Sequence, residues 1–297
     1  DNNNGSRIEP SLTSVPFFED IKAKSKKSIL LAGCGGGFDI YCGIPLYVAL
    51  RKLGRQVHLS NLTFTSFSDV DKSTTKELSN DLLQVSSESK LRSNVSVATW
   101  KDFPEETDST YFPELYLAQF LKKEYQEDVP VFMINRTAHD RMLESFKILL
   151  ELLDFDCIVL VDGGTDSLMR GDEEQLGTPH EDFISIAAVH SLQPLPNQPP
   201  IHKYLTCLGF GIDSFHGVSH ALFLENVSQL IKDGAFLGTF SLLREMKEGQ
   251  LFKQACEYAF ERMETSIVNG SIVAAVEGNY GNYHFTKRTG SANFFEF

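Results

Sequence analysis

Three short loops of this chain set aspartate against glycine. The first reads Gly33-Cys-Gly-Gly-Gly-Phe-Asp39, the second Asp162-Gly-Gly-Thr-Asp166, and the third Gly209-Phe-Gly-Ile-Asp213-Ser-Phe-His216. Glycine lets backbone N–H groups approach a ligand, and a helix opening directly afterwards favours an anion there. Gly35, Gly36 and Gly37 are therefore expected to bind ligand, with Gly163 and Gly164 facing them from the second loop. Carboxylates that crowd together must share a proton or be offset by a cation. Asp162 and Asp166 are the expected catalytic pair, holding a cation or acting as general base. Asp162, Asp166 and Glu173 are the expected metal set. Mg²⁺ suits them, being held usually by one or two carboxylates together with water and phosphate oxygens.

Asp39 narrows the ligand. A carboxylate facing a bare phosphate at 4 Å would repel it by about 1–4 kcal/mol. Either Asp39 caps the following helix, or the ligand brings a cation or hydroxyl groups. Asp213 would complete the acidic ring, while Asp182 either joins it or faces water at a helix start. Asn61, with Thr63 and Thr65, leaves the second strand where ligand hydroxyls would reach it. His216 is a further ligand-binding candidate. With His220 it stands at i and i+4, on one face of an expected helix. The glutamate of H-E-x-x-H is missing, which disfavours a zinc peptidase.

The glycine loop fails the dinucleotide pattern G-x-G-x-x-G at its last position, and no acid follows the second strand. Neither NAD nor flavin is expected. Gly217-Val-Ser219-His-Ala221 imitates a nucleophile elbow, so a serine hydrolase using Ser219 is one alternative. An elbow, however, needs its strand directly before the serine. The leading expectation is binding, with hydrolysis or group transfer, of a small phosphorylated or nucleotide-like ligand assisted by Mg²⁺. A non-catalytic module sensing a nucleotide or small molecule is the other alternative.

These loops need a scaffold to bring them together. Apolar runs at 28–32, 56–60, 95–99, 131–135, 157–161 and 204–208 read as strands. Helical patterns fill 16–26, 40–53, 112–125, 138–153 and 182–192, and after the strand at 204–208 the chain is mostly helical to about 269. The alternation implies an α/β domain with a mainly parallel sheet covered on both faces. Ligands of such sheets bind at the carboxyl edge. One domain over 1–297 is expected, with 1–15 irregular, 69–93 a mobile insertion, and 277–290 a loop able to fold over the crevice.

The chain has 297 residues, 42% of them hydrophobic and 23% charged, enough for a full core. A net charge of −13 argues against the broad basic face that nucleic acid requires. No apolar run approaches the roughly 18 residues of a bilayer span, so no membrane partner is expected. Five scattered cysteines read as free thiols, which points to the cytoplasm.

Gly35-Gly-Gly-Phe-Asp39, Asp162-Gly-Gly-Thr-Asp166, then Gly171, Glu173, Leu176, Thr178-Pro179 and Asp182, and finally Gly211-Ile-Asp213 occur in this order. The series resembles the family called domain of unknown function 1152, over Ile29 to roughly Asp213. The turn Ser214-Phe-His216 departs from the more acidic one common in that family, so no role for His216 or His220 follows from it. The resemblance implies a Rossmann-like fold and no particular reaction.

Overall fold

The computed structural model describes residues 14–65, 95–99, 111–279 and 281. The expected insertion at 69–93 and most of the 277–290 loop lie outside the described residues. Among them, six strands form one sheet: β1 (Ser28–Gly33), β2 (Gln56–Thr63), β3 (Val95–Ala98), β4 (Val131–Asn135), β5 (Phe155–Gly163) and β6 (His202–Leu208). Their order across the sheet is β3-β4-β2-β1-β5-β6, and only β3 runs antiparallel to its neighbour. Nine α-helices are described: α1 (Pro16–Lys24), α2 (Asp39–Cys42), α3 (Ile44–Lys52), α4 (Pro113–Tyr125), α5 (His139–Leu153), α6 (His180–Ser191), α7 (His220–Lys232), α8 (Lys247–Phe260) and α9 (Ile267–Val276).

The central strands are apolar on both sides because helices cover both faces of the sheet. Ile29, Leu31, Cys157, Val159 and Val161 point to one face, where α4, α8 and α9 pack through Leu117, Phe252 and Val273. Leu30, Ala32, Ile158 and Leu160 alternate to the other, against Phe146 and Leu149 of α5 and Ala188 of α6. Truncating one of these buried leucines to alanine costs about 2–5 kcal/mol.

The expected single helix over 40–53 is two. Gly43 separates α2 from α3, and Pro45, without an N–H, sits in the first turn of the second helix. β2 also runs further than expected, to Thr63, because residues Leu59–Thr63 pair with Val131–Asn135 of β4. Asn61 and Thr63 are thus buried strand residues rather than loop residues.

At the amino edge of the sheet the buried Asp156 accepts bonds from Ser25 Oγ at 2.7 Å, Lys26 N at 2.6 Å and Lys27 N at 2.9 Å. This acid ties the α1–β1 turn to β5. At the opposite edge the strand order reverses. From β1 the chain moves outwards through β2 to the edge strand β3, steps back to β4, and then places β5 on the other side of β1. A crevice opens where neighbouring loops part in this way. The loops after β1 and β5 flank it.

Candidate functional site

The glycine loop after β1 turns back on itself through Gly36 and Gly37, whose φ angles of 99° and 60° suit glycine. Two of its N–H groups are engaged, one within the loop and one by β2. Gly35 N donates to Asp39 Oδ2 at 2.6 Å, and Gly37 N to Leu62 O at 3.1 Å. The glycines also make room. A Cβ on Gly35 would lie 2.6 Å from Asp182 Oδ2, and one on Gly36 would lie 2.7 Å from Leu62 O.

Asp39 opens α2 and bridges two loops. Its Oδ2 holds Gly35, while its Oδ1 accepts from Gly163 N at 3.3 Å. Asp162, the penultimate residue of β5, is buried and accepts from Ser167 N at 3.3 Å. Asp182, in the first turn of α6, is 5% exposed. Asp39, Asp162 and Asp182 each present a carboxylate oxygen, and these atoms lie within 4.8 Å of one another. Asp182 Oδ1 is buried with no hydrogen-bond partner among the described residues. α6 is clamped to β1 by Ser185 Oγ, which donates to Cys34 O at 2.6 Å.

The electrostatics of this group follow from burial and like charge. Burial raises the pKa of Asp39, the charges of Asp162 and Asp182 raise it further, and the Gly35 and Gly163 N–H groups oppose them. Asp162 is raised by burial and then by Asp182 and Asp166. Asp182 is pushed up to about 7, by burial first and then by the charge of Asp166. Three close carboxyls of this kind take either protons or a cation.

Asp166 begins a 3₁₀ turn, Asp166–Leu168, at the rim. It is half-buried, and its Oδ2 accepts from Thr178 N at 3.0 Å. The third loop joins here. Thr165 N donates to Asp213 Oδ2 at 2.6 Å, and a side chain at Gly164 would collide with that same carboxyl. Burial, then the charge of Asp166, raises Asp213 to about 6. Asp213 thus stands beside the group as an electrostatic neighbour and a tie between loops.

Other expected site residues serve elsewhere. Glu173 is not a member of the group of three carboxyls. Its carboxylate accepts from Arg170 N at 2.8 Å, Gly171 N at 2.8 Å and Asn226 Nδ2 at 2.9 Å. Burial works against its charge, but these donors outweigh it and hold the pKa down to about 2. Glu173 shapes the loop before α6. Asn61 braces the glycine loop, donating from Nδ2 to Gly37 O and to Glu114 Oε1, both at 2.8 Å. A side chain at Gly33 would strike the side-chain oxygen Oδ1 of Asn61. Glu114 is fully buried, and burial lifts it to about 7 against the bonds it accepts from Asn61, Thr63 and Thr65.

His216 ends the 3₁₀ turn Ile212–His216, and Gly217, at φ 90°, separates it from α7. His216 and His220 therefore do not share the expected helical face. Ser219 caps α7, accepting from Leu222 N at 3.5 Å, and its own N–H donates to Gln175 O. β6 ends at Leu208, well before it, so the strand–turn–helix of an elbow is not formed.

Asp182 is the member that the motif alone does not single out. Its signal is spacing: Asp182, Ser185, Ala188 and Val189 are the buried residues of α6, one helical face. That face looks at the sheet.

Among the described residues no helix is long and apolar enough to cross a membrane. A family model described as "Protein of unknown function (DUF1152)" matches residues 30–294, well beyond the stretch over which the motifs are readable. No curated protein and no solved structure matches the chain.

Proposed function

The chain belongs to the DUF1152 family, defined only as proteins of unknown function, and from its own residues we propose a cation-dependent enzyme. It would hydrolyse, or transfer a group from, a small phosphorylated or nucleotide-like ligand at the carboxyl edge of the sheet. One observation carries this reading. Asp39, Asp162 and Asp182 converge to within 4.8 Å, and Asp182 Oδ1 is buried without a hydrogen-bond partner among the described residues.

The donor set fits a hard divalent ion. Three carboxylate oxygens within 4.8 Å of one another are close enough to meet on a hard divalent ion such as Mg²⁺ or Ca²⁺, whose oxygen ligands lie at about 2.0–2.6 Å. Asp162 and Asp182 would be its direct ligands. Asp39, with one oxygen on Gly35 and the other near Gly163, is oriented to complete the set. Such an ion polarises a phosphoryl oxygen and makes water more acidic.

Asp166 at the rim has the place of a general base. Its Oδ2 is fixed by Thr178, and it is exposed enough to meet water. Hydrolysis or group transfer is favoured because the glycine loop lacks the dinucleotide spacing.

The test is turnover of a panel of phosphate esters and nucleotides with Mg²⁺ or Mn²⁺, for wild type and Asp166→Asn. The reading expects lost turnover and retained affinity in the variant. Affinity without turnover in the wild type would instead favour a sensing module.

A further inference from the structure

Across the glycine loop from the acidic group lies a hollow that the reading above does not use. It opens at the carboxyl ends of β2 and β4, holds about 470 Å³, and has Phe64, Arg136, Thr137 and Arg141 in its lining. That volume is typical of sites for small ligands. A second hollow of about 280 Å³ shares Arg136 and Thr137 with it and reaches Glu181, the neighbour of Asp182 in α6.

Two arginines on one rim of a chain with a net charge of −13 are informative about a ligand. Arg136 is pre-set. One end of its fork pairs with Glu181, and its guanidinium carbon lies 5.9 Å from the Phe64 ring centroid. The pairing leaves its other N–H donors for a ligand. Arg141 is exposed and makes no ion pair with a described residue. Behind them α5 starts at His139 with no side-chain cap. Two carboxylates stand near enough to oppose an anion: Glu181, already paired with Arg136, and the exposed Asp140, beside His139.

Phe64 joins the hollow to the acidic group. It is 47% exposed, yet its ring rests on the glycine loop, where a Cβ on Gly36 would lie 3.1 Å from its Cζ. A single turn of backbone therefore separates the arginines from the three carboxyls.

We infer that this hollow is the phosphate anchor of the ligand. Arg136 and Arg141 take the phosphate oxygens, and the exposed part of Phe64 receives a flat or apolar part of the same molecule. Guanidinium groups match phosphate geometry and retain their charge at every working pH. The inference rests on the proposed function only in assigning both places to one ligand. The arginines can be tested alone.

The experiment is calorimetric titration of inorganic pyrophosphate into the full chain, with and without Mn²⁺, for wild type, Arg141→Ala and Arg141→Lys. Mn²⁺ affinity is measured on each. Wild type should bind pyrophosphate, Arg141→Ala at least tenfold more weakly, and Arg141→Lys in between. Mn²⁺ affinity should stay within twofold throughout. Equal pyrophosphate affinity in Arg141→Ala, or none in Mn²⁺-loaded wild type, overturns the anchor. Should wild type fail to bind Mn²⁺ and still show Arg141-dependent pyrophosphate binding, the cation reading falls and the anchor stands.

Discussion

Asp39 Oδ1 accepts a hydrogen bond from Gly163 N at 3.3 Å, across 124 positions of sequence. This contact ties the loops after β1 and β5 together and brings two glycine-and-acid loops to one place. Without a side chain at residue 163, the Asp39 carboxyl can approach. A Cβ there would lie 3.1 Å from Asp39 Oδ1 and 3.0 Å from Cys42 Sγ. The same geometry sets carboxylates against one another, and the predictions below follow from their repulsion.

Asp182→Asn removes one negative charge from the group and leaves its shape. Mn²⁺ affinity, read by calorimetry, should fall at least tenfold. The melting temperature without cation should hold or rise, because the neighbouring charges lose a repelling partner. Unchanged Mn²⁺ affinity would take Asp182 out of the site.

Stability without cation should depend on pH in one direction. Asp182 and Glu114 are raised to about 7 and Asp213 to about 6, above the value near 4 of an unfolded chain. Between about pH 4 and 7 the folded state therefore holds more protons than the unfolded one. Stability should fall as pH rises through that window, and Asp39 and Asp162, also raised, act in the same direction. A cation binds the deprotonated group, so Mg²⁺ should raise the melting temperature more at pH 8 than at pH 5.5. An equal Mg²⁺ effect at both values would argue that the ion binds elsewhere.

Gly35→Ala tests the space the glycines keep. The φ of Gly35 lies outside the left-handed region, so the cost is steric. Its new methyl would meet Asp182 Oδ2 at 2.6 Å and Oδ1 at 2.7 Å, and the carboxyl must swing away. Stability should drop by about 1–3 kcal/mol, with Mn²⁺ affinity down tenfold or more. Full Mn²⁺ affinity in a folded Gly35→Ala protein would contradict the arrangement.

Glu173→Gln separates loop shape from cation binding. Since its pKa is held down to about 2, Glu173 contributes stability above the unfolded value near 4 and loses it as pH falls towards 2. The variant should be less stable at neutral pH and show a flatter acid limb in denaturant titrations. Its Mn²⁺ affinity should stay within twofold. A large loss of affinity would return Glu173 to the metal set.

All six described strands, and the convergence of the loops after β1, β5 and β6, were legible because buried parallel strands leave short apolar runs bounded by glycine and acid. Roles inside the loops were not. Asp162 and Glu173 look alike in sequence, yet one ends a buried strand among carboxyls and the other is ringed by N–H donors. Which occurs depends on how residues 170–182 fold. Asn61 read as a loop residue because the extent of β2 is set by its partner β4, a pairing that local pattern does not carry. Arg136 and Arg141 are not legible as site residues in sequence, since charged residues after a strand are ordinary and the hollow beside them is a feature of the fold.

The central claim is that Asp39, Asp162 and Asp182 hold one divalent cation. Anomalous diffraction from a crystal soaked in Mn²⁺ tests it most directly. The account predicts a peak bounded by these three carboxyls and absent from Asp182→Asn crystals. A fully occupied Mn²⁺ peak elsewhere on the chain, with none between them, would contradict it.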